Sequence, residues 1–381
     1  MRFALEALQA HEGDCLLLHY EKSGAAAVRV LLDGGPSSIY ASVLKPRLDA
    51  LRGDSVLDLR MVVVTHIDAD HITGVLDLFR KLTEMQTDGE DLFCQVRTLW
   101  HNAFTLLHGN SPASVDSGPV SASLDGQVVP GLDDVTQAVV ASVPQGNQLR
   151  GFAAQLAIPL NQGVGGPLVL APEQGRLTIS VGDGLTFTVL APHKAELDRL
   201  ELEWNKSKAK HPADPAAQAA DYLNNTVPNM SSIVILAEAT IAPGVSKRML
   251  LTGDARGDVI LDALDAAGLS TNGRSHFDLL KVQHHGSRHS TTQDFFERVT
   301  ADSYVISGNG KMDNPNPDAL MWLSQARHGQ PFTAYLTNRT GLNDLGTKLD
   351  AFLASEARNE PQHEYRFRAD PDPSITVELG A

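Results

Sequence analysis

The sequence predicts an α/β sandwich, with sheets inside and helices outside. Three observations predict it. Short β-type runs arrive in batches, most of them are apolar at nearly every position, and stretches with apolar residues at helical spacing lie between the batches. Runs that are apolar throughout suit strands covered on both faces. The intervening amphipathic helices supply the covering layers.

The first batch comprises residues 15–20, 28–33 and 61–65. A helix follows, because Ile72, Val75, Leu76, Phe79 and Leu82 fall on one helical face. Residues 100–174 read as an insertion between core elements, partly loop and partly short helices. Within it, 109–131 is rich in Ser, Gly, Pro and Asp, and 145–175 adds more Gly and Pro. The second batch is 177–181, 186–190, 232–237 and 249–252. It is interrupted by a polar piece, 194–225, with Lys206, Lys208 and Lys210 at its centre, which reads as helical and exposed. Val259, Leu261, Ala263 and Leu264 mark the next helix, 279–282 and 303–306 two more strands, and Ala319, Trp322 and Leu323 a further helix. The tail after Leu353 is polar until 375–379, which turns β-like and could add an edge strand or dock a partner. No repeat and no clean linker divides the chain.

At 381 residues, 42% hydrophobic and 20% charged, the chain excludes disordered, collagen-like and coiled-coil classes. Its net charge of −15 makes it a poor bulk binder of nucleic acid or anionic membrane. A local basic groove or bound cations could still receive a phosphate. Cys15 and Cys94 sit in apolar company and read as buried free thiols. No apolar run approaches a membrane span or a signal peptide, so a soluble, cytoplasmic protein without membrane association is expected. His108 and His211 read as surface residues.

Chemistry concentrates in Thr65-His66-Ile67-Asp68-Ala69-Asp70-His71, between the apolar strand at 61–64 and the helix that opens at Ile72. A helix cap would explain one Asp but neither histidine. As a loop at a strand end, the block lets His66 and Asp68 meet one cation while Asp70 and His71 meet a second. Carboxylate oxygens and imidazole nitrogens suit Zn²⁺, Mn²⁺ or Fe²⁺. Leu250-Leu251-Thr252-Gly253-Asp254 ends a strand in a carboxylate able to bridge two metals. Leu279-Leu280-Lys281-Val282-Gln283-His284-His285-Gly286-Ser287 again sets histidines just after a buried strand. Adjacent histidines on an extended chain point apart, so one is expected to ligate and the other to bond substrate or support the ligands.

In this order the pieces resemble the metallo-β-lactamase fold superfamily of hydrolases, which carries His-x-His-x-Asp-His, a bridging Asp and a final His, each at a strand end. Asp68 stands where the second His is usual. With Leu-Thr-Gly-Asp and His-His-Gly-Ser, that variant is most similar to the soluble hydrolase domain of ComEC-type competence proteins. Glu12-Gly13-Asp14-Cys15, Leu32-Asp33-Gly34-Gly35 and Asn229-x-Ser231-Ser232-Ile233-Val234 are further matches. The resemblance implies an αββα sandwich of the metallo-β-lactamase type with insertions. It gives a hydrolase domain over about residues 1–340, with the extension 341–381 packed on the same domain. It also implies two divalent ions, Zn²⁺ or Mn²⁺. His66 and Asp68 would hold the first, Asp70 and His71 the second, with Asp254 the bridge and His285 (or His284) the closing ligand. Asp33 would brace the metal loop from beneath.

Two departures stand out. The superfamily usually has another His before the bridging Asp; His101 and His193 are the candidates, each more simply read as an ordinary surface or capped histidine. Asn314 also replaces the His of a His-Pro in the loop 309–317, where Lys311 is a further candidate for substrate contact. Such a centre would activate water as a metal-bound hydroxide for attack on phosphorus or carbonyl. A phosphodiesterase or nuclease-like hydrolase of nucleic acid or nucleotides is the leading expectation. Asp70 and His284 are its candidate catalytic groups, and Lys281, Ser287, Arg288 and Asn314 its candidate substrate contacts. Hydrolysis of ester, thioester or lactone substrates is the first alternative. A metal-stabilised interaction subunit, with a protein partner or as a homo-oligomer, is the second.

Overall fold

The computed structural model describes residues 1–102, 134–211 and 228–380. His108, the stretch 109–131 and residues 212–225 lie outside the described residues. Two sheets form the interior. One has six strands in the order β16-β1-β2-β3-β5-β7. These are β1 (Arg2–Leu8), β2 (Leu16–Glu21), β3 (Val28–Leu32), β5 (Met61–Val64), β7 (Leu99–His101) and β16 (Ser374–Gly380). The other has eight, in the order β15-β14-β13-β12-β11-β10-β9-β8. These are β8 (Leu177–Gly182), β9 (Leu185–Ala191), β10 (Val234–Ala242), β11 (Val245–Leu251), β12 (Ser275–Lys281), β13 (Val299–Ile306), β14 (Phe332–Leu336) and β15 (His363–Phe367). A small ribbon pairs β4 (Leu57–Leu59) with β6 (Cys94–Val96).

Alternation along the strands explains the layering. On β5, Val63 faces the space between the sheets while Val62 and Val64 face outward; on β10, Ile235 and Ala237 face inward while Val234 and Leu236 face outward. Both faces therefore need cover. Helices α1 (Lys45–Arg52), α2 (Ala69–Thr87) and α3 (Asp134–Gln155) cover the six-stranded sheet. Helices α4 (Lys194–Lys210) and α5 (Gly257–Ala266) follow in the chain. With α5, helices α6 (Gln293–Arg298), α7 (Pro317–Ala326) and α8 (Leu345–Asn359) cover the eight-stranded sheet. Phe3, Leu18, Val30 and Trp100 meet Phe187, Ile235, Met249 and Val305 between the sheets. This is the αββα sandwich that the sequence predicts.

Three elements differ from the sequence reading. The insertion contributes α3, a helix of 22 residues packed on α2, rather than short helices alone. Its Gly146 faces the His101 ring, so the glycine that suggests a loop serves close approach. The tail supplies β16 to the edge of one sheet, in line with the β-like reading of 375–379, but also an unexpected β15 to the edge of the other. β1 itself, Arg-Phe-Ala-Leu-Glu-Ala-Leu, has helix-forming composition but is paired on both sides, by β2 and β16. Both cysteines are buried and free. No helix among the described residues is long and apolar enough to cross a membrane.

Candidate metal centre

Each chemistry-bearing loop leaves the C-terminal end of a strand: Asp33 after β3, residues 65–71 after β5, Asp254 after β11, and His284 and His285 after β12. β3 runs parallel to β5, and β11, β12 and β13 run parallel to one another. The loops therefore gather at one edge, where open α/β sheets bind ligands. Backbone bonds lock them together: Gly34 N–H donates to the His71 carbonyl at 2.8 Å, Gly74 N–H to the Gly35 carbonyl at 2.9 Å, and Gly35 N–H to the Asp14 carbonyl at 2.7 Å. His284 and His285 sit in the left-handed region, at φ of 47° and 55°. For side chains with a Cβ this costs about 1–3 kcal/mol each and persists where the surroundings impose it.

Hydrogen bonds at Nδ1 sort the histidines. Asp33 accepts from the Thr65 hydroxyl at 2.7 Å, from the Thr65 amide at 2.8 Å and from His71 Nδ1 at 2.9 Å. Because the Thr65 hydroxyl donates to Asp33, its oxygen is left to accept from His66 Nδ1, 3.0 Å away. His66 and His71 thus carry Nδ1 protons and turn Nε2 lone pairs to the centre. His285 Nδ1 has no hydrogen-bond partner among the described residues and lies 3.6 Å from the Asp14 carboxylate, whose charge favours a proton on that nitrogen. His284 differs. Its Nδ1 takes a hydrogen bond from the Asn229 amide at 3.3 Å and lies 2.6 Å from the Ser290 hydroxyl. A donor at Nδ1 puts the proton on Nε2, so His284 presents an N–H and not a lone pair.

Asp254 occupies the middle. Its carboxylate lies 3.3 Å from His71 Nε2, 3.8 Å from His66 Nε2, 3.6 Å from His285 Nε2 and 3.7 Å from His284 Nε2. Asp68 is 3.4 Å from His66 Nε2 and Asp70 3.5 Å from His285 Nε2. Ligand atoms of His66, His71 and Asp254 all fall within 4.8 Å of one another, and so do those of Asp70, His71 and His285. Asp68 stands at the N-cap position of α2, yet its side chain makes no capping bond. His66 Nε2, one Asp68 oxygen and one Asp254 oxygen are buried without a hydrogen-bond partner. Unpartnered buried polar atoms are costly. Converging from separate loops, they have the donor set and the unmet bonding capacity that a divalent cation satisfies.

Electrostatics agree. Burial opposes charge on His71, but Asp254, Asp33 and Asp70 outweigh it and hold this imidazole well above its ordinary pKa. Burial opposes charge on His285 too, yet Asp254 and Asp14 bring it up to about 10. Burial pushes Asp70 up, yet His71 and His285 bring it down to about 2. His284 shifts downward because burial outweighs Asp254. The surrounding carboxylates thus favour a charged imidazole in the metal-free centre, and the Nε2 atoms of His71 and His285, 3.3 Å apart, have room for one proton between them, which a cation must displace. Cation uptake is expected to release about one proton at pH 7 and to weaken as the pH falls. Calorimetry in buffers of different ionisation enthalpy reads the count, and a count of zero contradicts the assignment.

Other expected residues fall elsewhere. Lys281, expected to meet substrate, is fully buried and paired with Asp14 at 2.9 Å, so it cannot reach a ligand in the cleft. Ser287 is buried and its hydroxyl accepts from the His289 amide at 3.3 Å. Arg288 is half exposed, 3.6 Å from Asp318. Asn314 is buried, and its carbonyl accepts from the Gly310 amide at 2.9 Å. Lys311 pairs with Glu12 at 2.7 Å. His193 is bound up with Glu196, 3.4 Å away, and belongs to neither cluster. His101 is fully buried, not a surface residue, and among the described residues neither ring nitrogen has a hydrogen-bond partner. Burial, with Arg150 nearby, brings it down to about 3. Sequence reasoning missed the parts played by Thr65 and Ser290.

Comparison with known proteins bears on the same segment. Residues 26–84, from just before β3 into α2, match the family model described as the metallo-beta-lactamase superfamily. They include Asp33 and the loop from His66 to His71. Among solved structures, the chain is similar to metallo-β-lactamase MIM-1 from Novosphingobium pentaromativorans, at 11% identity over 92% of this chain and 91% of that one, with a TM-score of 0.31. No curated protein matches the chain.

Proposed function

We propose that this chain is a metal-dependent hydrolase with a dinuclear centre, acting on phosphodiester bonds in nucleotides or short nucleic acids. The observation that carries the reading is the convergence of the His66, His71 and His285 Nε2 atoms on the Asp254 carboxylate, with hydrogen-bond acceptors behind Nδ1 of His66 and His71 and the Asp14 carboxylate 3.6 Å from Nδ1 of His285. His66, Asp68 and Asp254 would hold one cation, and Asp70, His71, His285 and Asp254 the other. Bound there, divalent cations supply Lewis acidity and bring the pKa of water toward neutrality.

The remaining chemistry belongs to the chain's own side chains. His284, partly exposed beside Asp254, offers its Nε2–H to an oxygen of the substrate. Arg288 and His289 stand exposed near the same turn, where Arg288 adds positive charge at its rim. The net charge of −15 opposes a long polyanion, which favours small substrates.

Apo-protein reloaded with Mn²⁺ or Zn²⁺ and offered bis(para-nitrophenyl) phosphate and para-nitrophenyl esters tests the reading. Cleavage of the phosphodiester, lost in His66→Ala, is expected; cleavage of the esters alone contradicts it. Replacing the His284 donor with His284→Ala is expected to lower kcat by about 10²-fold. Its metal content should stay that of the wild type, whereas a loss of metal would make His284 a ligand.

A further inference from the structure

Asp14 and Lys281 form an ion pair in the floor of the centre, fully out of water, and the reaction outlined above uses neither. Lys281 Nζ lies 2.9 Å from one Asp14 oxygen and also donates to the Val282 carbonyl at 3.0 Å. The Ser307 hydroxyl donates to the other Asp14 oxygen. Asp14 comes from the loop between β1 and β2, Lys281 ends β12, and Ser307 follows β13, so the group joins one sheet to the other.

A staple between sheets does not need charge. Apolar side chains of similar volume serve as well or better, because burying two ions costs much of what their attraction returns. What these charges add is a carboxylate held beside His285 Nδ1, at 3.6 Å. Asp14 also lies close enough to Asp254 and His285 to compete as a cation ligand. Lys281 and Ser307 engage both of its oxygens and so remove it from that set.

Resting on the metal-centre reading, we propose that Asp14, Lys281 and Ser307 are positioning residues for His285: they keep its proton on Nδ1 and aim Nε2 at Asp70 and Asp254. The arrangement parallels, through a charge at 3.6 Å instead of a hydrogen bond, what Asp33 and Thr65 do for His71 and His66. Partners behind a ligating imidazole typically change cation affinity by about 10–100-fold when lost.

Cobalt(II) titration of the full chain, followed by absorbance, tests this alongside thermal unfolding. Lys281→Met alone strands a buried carboxylate and is expected to unfold readily, so the informative variant is the neutral pair Asp14→Asn/Lys281→Met. Wild-type protein should bind cobalt, and the folded double variant should bind one of its two equivalents about 10–100-fold more weakly. Ser307→Ala keeps both charges and should weaken the same equivalent to a lesser degree. In cobalt-loaded wild type, one paramagnetically shifted N–H signal assigned to His285 Nδ1 should resist exchange with D₂O, and in the double variant it should exchange faster. A double variant that melts lower but binds both equivalents like wild type makes the pair a structural staple and overturns the proposal, leaving the metal centre standing. An unfolded double variant combined with wild-type binding by Ser307→Ala also overturns it. Wild-type protein that binds no cobalt removes both readings together.

Discussion

Asp254→Asn is expected to reduce metal-dependent turnover by about 10³-fold or more, and to leave purified protein short of metal. The substitution keeps shape and volume but replaces one oxygen by an N–H donor. Asp254 is within 3.3 to 3.8 Å of four imidazole Nε2 atoms, so no rotation of an asparagine avoids confronting a ligand nitrogen. Loss of the shared carboxylate removes several kcal/mol of charge stabilisation, and each 1.4 kcal/mol is about a factor of ten in rate. Metal analysis and kcat/KM on the phosphodiester substrate check this together. Wild-type turnover in the variant contradicts the central place of Asp254.

Gly74→Ala is expected to give the largest loss of stability for the smallest change in volume. A Cβ on Gly74 would stand 1.9 Å from the Gly34 carbonyl oxygen, and one on Gly34 would stand 2.3 Å from the Val75 backbone nitrogen in α2. Both contacts are with backbone atoms, so no rotamer change relieves them. Overpacking of this kind costs about 1–3 kcal/mol, occasionally more. Relief requires the loop holding Asp33 to move off α2, which carries His71 away from its Asp33 partner. Denaturant unfolding should show the lower midpoint and metal titration a weakened centre in the same variant. A stable variant with unchanged affinity contradicts the interlock.

The site was legible in the sequence to the extent that polar residues interrupted apolar runs at strand ends. His66, Asp68, Asp70, His71 and Asp254 all follow buried strands, where packing gives them no purpose, and the structure gathers them at one edge. The choice between His284 and His285 was not legible, because it depends on what stands behind each Nδ1. Asn229 and Asp14 come from other parts of the chain, and Ser290 folds back from six residues beyond His284. Lys281 is a different case. It lies two residues beyond Leu279, which packs between the sheets, so strand alternation already sends it inward. Reading it as a substrate contact followed its charge and neglected its parity. β4, β6 and β7, at three residues each, are too short for any periodicity, and α3 holds a glycine whose reason is a neighbouring ring.

Anomalous diffraction from Mn²⁺-soaked crystals tests the central claim most directly. Two peaks about 3.5–4 Å apart, one beside His66 and Asp68 and one beside Asp70 and His285, with Asp254 between them, are expected. A fully soaked crystal with no peak at these residues, or with peaks only elsewhere on the chain, contradicts the account.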